Sequence, residues 1–330
     1  MTRFIDAVRT VPRVSAQEWP TLGLLTRWAV AARASVLLMT FMSGMIGGLL
    51  SIGHVDFDPI CFVLALVGLV FAHATNNLHN DYVDSARGVD KNNYHRAKYG
   101  THVLESGLMT QSQHFAHIVV TGLIAIAAGL ALVYLRGGLT LALMLTGAFF
   151  VLFYTWPLKY IGMGEPAVLV VWGPLMTAGT SYVCTGEWDW MIAAIGTVYA
   201  LGPTSVIFGK HIDKLEFDRD KGIRTLPVML GYDRARRCVP IMLALQLILT
   251  VVLVAIEQEY LFLLITLLNL PATIRTVRIF NEPKPAQRPD WFRDEVWPLW
   301  YAPNAFALTR RYSGFFLLAV IAQASWALFA

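Results

Sequence analysis

Long runs of apolar residues, separated by short polar segments, set the pattern of this chain. A helix needs about 20 apolar residues to cross the hydrocarbon core of a bilayer, and these runs are too continuous for the alternating strands of a membrane barrel. The pattern therefore predicts an all-α, polytopic membrane protein with nine transmembrane helices. The predicted spans are residues 35–53, 59–78, 114–134, 138–156, 163–183, 189–209, 236–256, 259–280 and 312–330.

Two regions fall outside this pattern. Residues 1–30 are polar and mixed, and they are interpreted as a cytoplasmic tail or, over residues 15–28, as an interfacial helix. Residues 31–330 form the predicted membrane domain. Within it, the connection 281–311 is rich in Pro, Trp and Tyr, which predicts an interfacial location because aromatic side chains concentrate there.

The composition agrees with a membrane protein. Of the 330 residues, 56% are hydrophobic and 15% are charged, whereas a soluble domain carries about 25% charged residues. Too few polar side chains remain to cover a water-facing surface, so a soluble globule and a disordered chain are both excluded. The three cysteines are scattered and indicate neither a disulfide framework nor a zinc site.

The basic residues predict the orientation. With nine spans, all of the 26 lysines and arginines except Arg136 fall on one side. The positive-inside rule places that side in the cytoplasm. The substantial loops lie on the same side, so we expect an integral protein of a bacterial or archaeal cell membrane with its functional face toward the cytoplasm.

A one-sided polar stripe ends the second predicted span. Asn77, Asn80, Asp81 and Asp84 follow helical spacing, and Gly88 and Asp90 come next. Carboxylates at the end of an apolar span are costly and usually functional. A hard divalent cation would offset their repulsion, and Mg²⁺ prefers oxygen ligands and phosphates.

A second acidic cluster follows the sixth predicted span. Asp213, Glu216 and Asp220 share a helical face, and Asp218 points elsewhere in an ideal helix. Basic residues alternate with them, a pattern that on its own is also typical of a solvated helix face. Because both clusters are predicted at the same depth and on the same side, we interpret them as one site for a metal-bound diphosphate. The apolar bundle around them favours a prenyl diphosphate, whose tail is a hydrocarbon.

Four motifs resemble the UbiA superfamily of intramembrane prenyltransferases over about residues 25–275. Asn80, Asp84, Gly88 and Asp90 resemble the NxxxDxxxGxD form of its menaquinone branch, and residues 218–227 (DRDKGIRTLP) resemble its DRxxGxxTLPV signature. Residues 154–159 (YTWPLK) resemble the YSxPLK loop, and Ala32-Arg33-Ala34 resembles the ARPxT entry. One departure stands out: Lys214, not an acidic residue, lies four positions before Asp218, and Asp213 lies five before it.

The resemblance implies a Mg²⁺-dependent transfer of a prenyl group to a hydrophobic, aromatic acceptor such as 1,4-dihydroxy-2-naphthoate, in lipoquinone biosynthesis. No nucleic-acid partner is expected. By this resemblance the metal ligands would be Asn80, Asp81, Asp84, Asp90, Asp213, Glu216 and Asp218. For the second metal, either a helical bulge brings Asp213 into register or Glu216 and Asp220 serve instead. Substrate contacts would come from Arg33, Asn77, Arg96, Lys159 and Arg224, with Lys98 as a weaker candidate. Asp84, Asp213 and Asp218 would act in catalysis, with the Tyr154 ring stabilising positive charge.

Several alternatives remain open. The other functions compatible with the sequence are a terpene cyclase of the same superfamily, prenyl transfer to a non-aromatic acceptor, and a non-enzymatic transporter. Lys159 and Arg33 have ordinary roles available as membrane-edge anchors. His73 either lines the pocket or is a hydrogen-bonded core histidine. Glu165 either faces the acceptor or simply suits a helix N-terminus.

Overall fold

The computed structural model describes residues 4–10, 12–89, 98 and 100–329, and within these ranges the regular structure is entirely helical. The all-α prediction is therefore confirmed. Two short helices come first, α1 (Phe4–Arg9) and α2 (Leu24–Ala31). The apolar segments that follow form α3 (Ala34–Leu50), α4 (Pro59–Ala86), α5 (Gln111–Arg136), α6 (Thr140–Phe153), α7 (Gly164–Thr185) and α8 (Trp190–Asp213). After them come α9 (Leu215–Asp220), α10 (Leu226–Leu230), α11 (Tyr232–Ile256), α12 (Gln258–Asn281) and α13 (Tyr301–Phe329).

The number of membrane spans is smaller than predicted. Seven helices of the described chain are long and apolar enough to cross a bilayer, and the bent pair α2–α3 makes an eighth if it counts as one span. Helix α6 has 14 residues, which reach about 21 Å against a hydrocarbon core of about 30 Å. All nine apolar segments are helical, but nine transmembrane spans are not confirmed.

The last helix begins eleven residues before the predicted start at 312. Helix α13 already starts at Tyr301, so the irregular connection covers only residues 282–300. The sequence there gives no local N-cap residue before Tyr301. The cap comes instead from a residue on α8, as described below, and so no local pattern could have indicated this boundary.

A sharp bend separates α2 from α3. The two helix axes differ by 79°, and Arg33, between them, has a φ of 55° in the left-handed region. This conformation is costly for a residue other than glycine. It is held by α4, because the Asn77 side chain donates a hydrogen bond to the Ala32 carbonyl at 2.9 Å.

Small residues let α3, α7 and α8 pack closely. A Cβ atom at Gly47 would lie 2.1 Å from the Thr177 carbonyl oxygen, and one at Gly196 would lie 1.9 Å from the Thr177 hydroxyl. Neither position accommodates a side chain without separating the helices. Close approach through small residues is a common source of stability between helices in lipid.

Helix α7 is broken at its centre. Residues 171–175 (VWGPL) form a π-helical turn in which Gly173 has non-helical angles, φ −88° and ψ −116°. Pro174 removes a backbone donor, which explains a kink at this point. The kink carries Trp172, whose side chain is buried against α3 and α4.

Candidate active site

A single cavity of about 1510 Å³ runs along α4 from Asn80 to Ala65. Fifteen residues of helix correspond to about 22 Å. Most of the lining is apolar, with the remaining walls supplied by α3, α5, α6, α7, α8 and α13. Apart from Asn304 and the hydroxyl groups of threonines, the polar side chains that line the cavity away from its mouth are Arg33, His73, Asn76, Asn77, Asn80, Tyr154 and Lys210. The cavity therefore has room for a long hydrocarbon chain and concentrates its charged and amide groups toward one end.

The mouth of the cavity is strongly basic. The charged residues that line it from the N-terminal segment, the 282–300 connection and α13 are Arg9, Arg13, Arg293, Arg310 and Arg311 and one carboxylate, Glu295, and Lys98 joins them. Arg310 donates to the Arg9 carbonyl at 2.9 Å, and Arg13 donates to the Glu295 carbonyl. These contacts join the two ends of the chain, and their charge favours the entry of an anionic molecule.

The first polar stripe lies on one face of α4, as its spacing predicted. Asn77, Asn80, Asp81 and Asp84 are all buried. The Arg33 guanidinium lies 3.3 Å from the Asp81 carboxylate and donates to the Asn77 carbonyl at 3.0 Å. The left-handed backbone at Arg33 thus directs a cation onto this stripe.

Asp84 lies one turn beyond Asn80 and is bound by Lys159. The Lys159 ammonium contacts both carboxylate oxygens, at 2.9 and 2.7 Å. Their side chains are only 5% and 11% exposed. Lys159 sits in the short 3₁₀ turn Leu158–Ile161 after α6, so the loop that resembles the family motif supplies the counter-ion of the first stripe.

The second cluster carries a different pair from the predicted one. The Lys214 ammonium contacts the Asp218 carboxylate at 2.7 Å, and the Asp218 side chain is fully buried. The other Asp218 oxygen, Oδ2, is buried and has no hydrogen-bond partner in the part of the chain that the structure describes. Lys214 is the residue at which the sequence departs from the family pattern. Where that pattern has an acidic residue four positions before Asp218, this chain has a cation that pairs with Asp218.

Asp213 serves as the N-cap of α13. Its carboxylate accepts hydrogen bonds from the backbone N–H groups of Trp300, Tyr301 and Ala302, at 2.9, 3.0 and 2.9 Å. Both oxygens are used in this way. A carboxylate at a helix N-terminus is favoured by the unsatisfied N–H groups and the helix dipole. The structure therefore turns Asp213 toward α13 and away from Asp218.

The other predicted site residues are not gathered at the cavity. Glu216 is 72% exposed and pairs with Arg219 at 2.5 Å, and Asp220 and Arg224 are also exposed. Asp90 and Arg96 lie outside the described residues.

A buried acid–base pair joins α7 to α8 near the same end. The Glu165 carboxylate contacts the His211 ring, and both side chains are essentially inaccessible. Glu165 also accepts a hydrogen bond from the Leu226 backbone N–H at 3.3 Å. Glu165 lies in the first turn of α7, as the helix N-terminus interpretation predicted, and it also holds together three segments beside the cavity.

Tyr160 lies beside Lys159 and Arg87, at the end of the first polar stripe. Burial and the nearby Asp84 carboxylate raise the pKa of the Tyr160 phenol, while Arg87 and Lys214 oppose this shift. Lys221 also donates to the Gly88 carbonyl at 3.4 Å, which ties the second motif to the end of the first. Both clusters therefore lie on the same side of the bundle.

Every buried carboxylate in this region has a basic partner. Asp81, Asp84, Glu165 and Asp218 are matched by Arg33, Lys159, His211 and Lys214. Unpaired charges would be very costly at this depth. Residue spacing predicted a metal in this balancing role. It gave no sign of the Glu165–His211 pair, whose members are far apart in the chain, whereas Lys214 and Asp218 are four residues apart, a helical spacing that could have indicated their pairing.

The residues fit one oxygen-bound cation better than two. Asn80 is 8% exposed and lines the cavity, and its amide has no hydrogen-bond partner among the described residues. With Asp81 and Asp84 it offers the hard oxygen donors that Mg²⁺ prefers. At the second motif only Asp218 remains, already bound by an ammonium. No group of three His, Cys, Asp or Glu side chains converges within the described ranges.

A helical membrane bundle with a long apolar cavity, a basic mouth and paired charges at one end has the architecture of an intramembrane enzyme for lipid substrates. The chain belongs to the UbiA prenyltransferase family, whose model matches residues 37–302. It is an integral membrane prenyltransferase.

Three curated relatives are similar to more than half of this chain. The chain is 28% identical to 1,4-dihydroxy-2-naphthoate octaprenyltransferase of Escherichia coli (strain K12), over 64% of this chain and 70% of that protein. It is 29% identical to the protein of the same name from Mycobacterium leprae (strain TN), over 66% of this chain and 72% of that one. Human UbiA prenyltransferase domain-containing protein 1 is 25% identical, over 54% of this chain and 53% of its own length.

Solved structures share the fold. A UbiA homolog from Archaeoglobus fulgidus bound to DMAPP and Mg²⁺ superposes with a TM-score of 0.57 at 17% identity, covering 89% of this chain and 99% of that one. A digeranylgeranylglyceryl phosphate synthase gives a TM-score of 0.56 at 17% identity, with 90% and 97% covered.

Proposed function

We propose that the chain transfers a prenyl group from its diphosphate to an aromatic acceptor of the 1,4-dihydroxy-2-naphthoate type, with the diphosphate bound between the two polar clusters. The observation that carries this proposal is the cavity itself. Its apolar length suits a prenyl tail, and its polar end is lined by Asn80 and Arg33. The buried Asp84–Lys159 pair lies one helical turn beyond Asn80. The naphthoate octaprenyltransferases of two bacteria among the relatives support the choice of acceptor.

The residues at the polar end have complementary roles in this proposal. An ammonium carries three N–H donors, and Lys159 uses two of its contacts on Asp84, which leaves a donor for a phosphate oxygen. From the second motif, Lys214, bound to Asp218, would contribute a further cation. Mg²⁺ held by Asn80, Asp81 and Asp84 would neutralise negative charge on the leaving diphosphate. The basic groups of the chain share that stabilisation.

The apolar walls protect the reacting carbon. The prenyl C–O bond breaks, the diphosphate leaves with the bonding pair, and the allylic C1 gains a bond to a ring carbon of the acceptor. The ring regains aromaticity by losing a proton, or its carboxylate as CO₂. Tyr154 lines the cavity, and its ring face stabilises developing positive charge on the allyl group. Excluding water prevents hydrolysis of that group.

We further infer that the polar end faces the cytoplasm. The basic side of the chain and the basic cavity mouth coincide at this end, and the positive-inside rule gives the direction. The substrates of this reaction would therefore enter from the cytoplasmic leaflet.

A reconstituted assay tests the proposed reaction. Purified protein is incubated with Mg²⁺ and geranylgeranyl diphosphate, with and without 1,4-dihydroxy-2-naphthoate, and the lipids are analysed by mass spectrometry. We expect a prenylated naphthol and released diphosphate only when the acceptor is present. A hydrocarbon or terpene alcohol formed without acceptor would replace this proposal by a cyclase, and no diphosphate release with either mixture would reject it.

Counting the bound metal ions tests whether the second motif, which has Lys214 in place of a carboxylate, lacks a cation site. With a non-hydrolysable prenyl thiodiphosphate present, we expect electron paramagnetic resonance to detect one tightly bound Mn²⁺ per chain. Lys214→Asp creates carboxylates four residues apart and is expected to raise the count to two, whereas Lys214→Met is expected to keep it at one. Two tightly bound ions in the unmodified protein would contradict the one-cation assignment.

A further inference from the structure

A chain of three polar side chains crosses the wall of the cavity below the charged end. The Trp172 indole N–H donates to the Thr40 hydroxyl oxygen at 2.6 Å, and that hydroxyl lies 2.7 Å from Nδ1 of His73. The rings of His73 and Trp172 meet edge to face, with centroids 5.4 Å apart. Thr40 is completely buried, so these contacts fix its hydroxyl.

This hydrogen-bond pattern assigns the tautomer of His73. The Thr40 oxygen already accepts the indole proton, and its own proton has Nδ1 of His73 as its acceptor. A hydroxyl has one proton to donate, and among the described residues Nδ1 of His73 is the acceptor within reach of it. Nδ1 is therefore the acceptor nitrogen of a neutral ring, and the ring proton is on Nε2.

The Nε2–H group is presented to the cavity. His73 lines it, and Nε2 has no hydrogen-bond partner among the described residues. Arg33 is the charged side chain whose electrostatic field reaches the His73 ring. A donor left unsatisfied in apolar surroundings is unfavourable by about 1–3 kcal/mol, so this position is suited to a ligand that brings an acceptor oxygen.

The depth of His73 separates it from the diphosphate. It precedes Asn80 by seven residues, which is about 10 Å along α4. The reacting ring carbon must approach within about 3.5 Å of the prenyl C1. A one- or two-ring acceptor that reacts near Asn80 can then place an oxygen on its far side against His73, whereas a prenyl tail has no oxygen to offer.

We propose that His73 is an acceptor-binding residue whose Nε2–H donates a hydrogen bond to an uncharged ring oxygen, hydroxyl or keto, of the aromatic acceptor. This proposal rests on the proposed function and adds the group that orients the acceptor. His73 keeps its proton throughout, because the bonds that change are the prenyl C–O bond and the new ring–prenyl bond. Thr40 and Trp172 are positioning residues that hold the ring in one tautomer.

The test separates acceptor binding from donor binding. His73→Leu removes the donor with little change in volume and is expected to raise the acceptor KM about tenfold, the loss of roughly one hydrogen bond. The Kd of a prenyl thiodiphosphate should stay within twofold. His73→Gln supplies an amide N–H and should recover most of the acceptor affinity, and Thr40→Val should show an intermediate loss.

Comparing two acceptors in the unmodified protein and in His73→Leu tests the same hydrogen bond from the ligand side. A naphthol that lacks the distal ring oxygen should bind the unmodified protein about tenfold more weakly than the complete acceptor, and His73→Leu should not distinguish the two. An unchanged acceptor KM in His73→Leu, or equal weakening of donor and acceptor, would overturn the role of His73 while leaving prenyl transfer intact. If the unmodified protein forms no prenylated product at all, the proposed function itself fails, and this inference with it.

Discussion

Asp84→Asn is expected to lower kcat/KM for prenyl transfer by roughly 10²–10³-fold, the usual effect of removing one electrostatic contact to a developing charge. Asparagine matches aspartate in size but carries no negative charge, so it binds a cation more weakly and leaves the Lys159 ammonium without its counter-ion. Mn²⁺ titration followed by electron paramagnetic resonance should show a parallel loss of metal affinity. The steady-state rate measures the first effect and the spectrum measures the second.

Controls separate this loss from unfolding. Asp84→Asn leaves a buried ammonium without its carboxylate, which destabilises by about 3–5 kcal/mol when a buried pair is broken. The double variant Asp84→Asn/Lys159→Met should regain most of the stability and none of the activity. Asp58→Asn is the matched control, because Asp58 caps the opposite end of the same helix and should affect activity less than twofold. Full activity in Asp84→Asn would contradict the assignment of the site.

Asp213→Ala is expected to lower the free energy of unfolding by about 3 kcal/mol or more. Three backbone N–H groups at the start of α13 lose their acceptor, and each unsatisfied buried donor is unfavourable by about 1–3 kcal/mol. A denaturation curve in detergent measures this loss. Because Asp213 acts as a cap, the Mg²⁺ concentration that gives half-maximal activity should not change in the protein that remains folded.

Asp189→Ala provides the comparison. Asp189 caps α8 through two backbone N–H groups, at 2.7 and 2.9 Å, and an ordinary cap contributes about 1 kcal/mol. The loss in Asp213→Ala should therefore be clearly larger. An unaltered stability together with a raised Mg²⁺ requirement would instead indicate that Asp213 is a metal ligand.

The sequence predicted the helices better than their ends. Apolar runs are a local signal, and all nine of them are helical, but α6 is too short to span and α13 starts at Tyr301. The start of α13 depends on Asp213, which is far away in the chain. A cap supplied by another helix leaves no mark in the local pattern.

The candidate site was likewise predictable where the signal is local and not where it depends on contacts between helices. Spacing placed Asn80, Asp81 and Asp84 on one face of α4, which is where they lie. It could not show that Asp81, Asp84 and Glu165 meet bases from other segments, because those pairs depend on helix packing. Lys214 stood out as a departure from the family pattern, and the structure gives that departure a physical meaning as the partner of Asp218.

For His73, each of the two interpretations from the sequence describes part of the structure. The sequence left open whether it lines the pocket or is bonded within the core. The structure shows that one nitrogen is bonded to Thr40 while the ring lines the cavity. The Gly173–Pro174 break was a visible signal for this region, since it positions Trp172, but its consequence depends on the packing of α7 against α3 and α4.

The most direct test of the account is the location of a bound prenyl diphosphate. We suggest a cryo-electron microscopy structure of the protein in lipid nanodiscs with geranylgeranyl thiodiphosphate and Mg²⁺. The account predicts the diphosphate beside Asn80 and Asp84, within hydrogen-bond reach of Lys159 and Lys214, and the tail along α4 toward Ala65. A diphosphate bound at the Ala65 end, or a tail lying on the outer surface of the bundle, would contradict it.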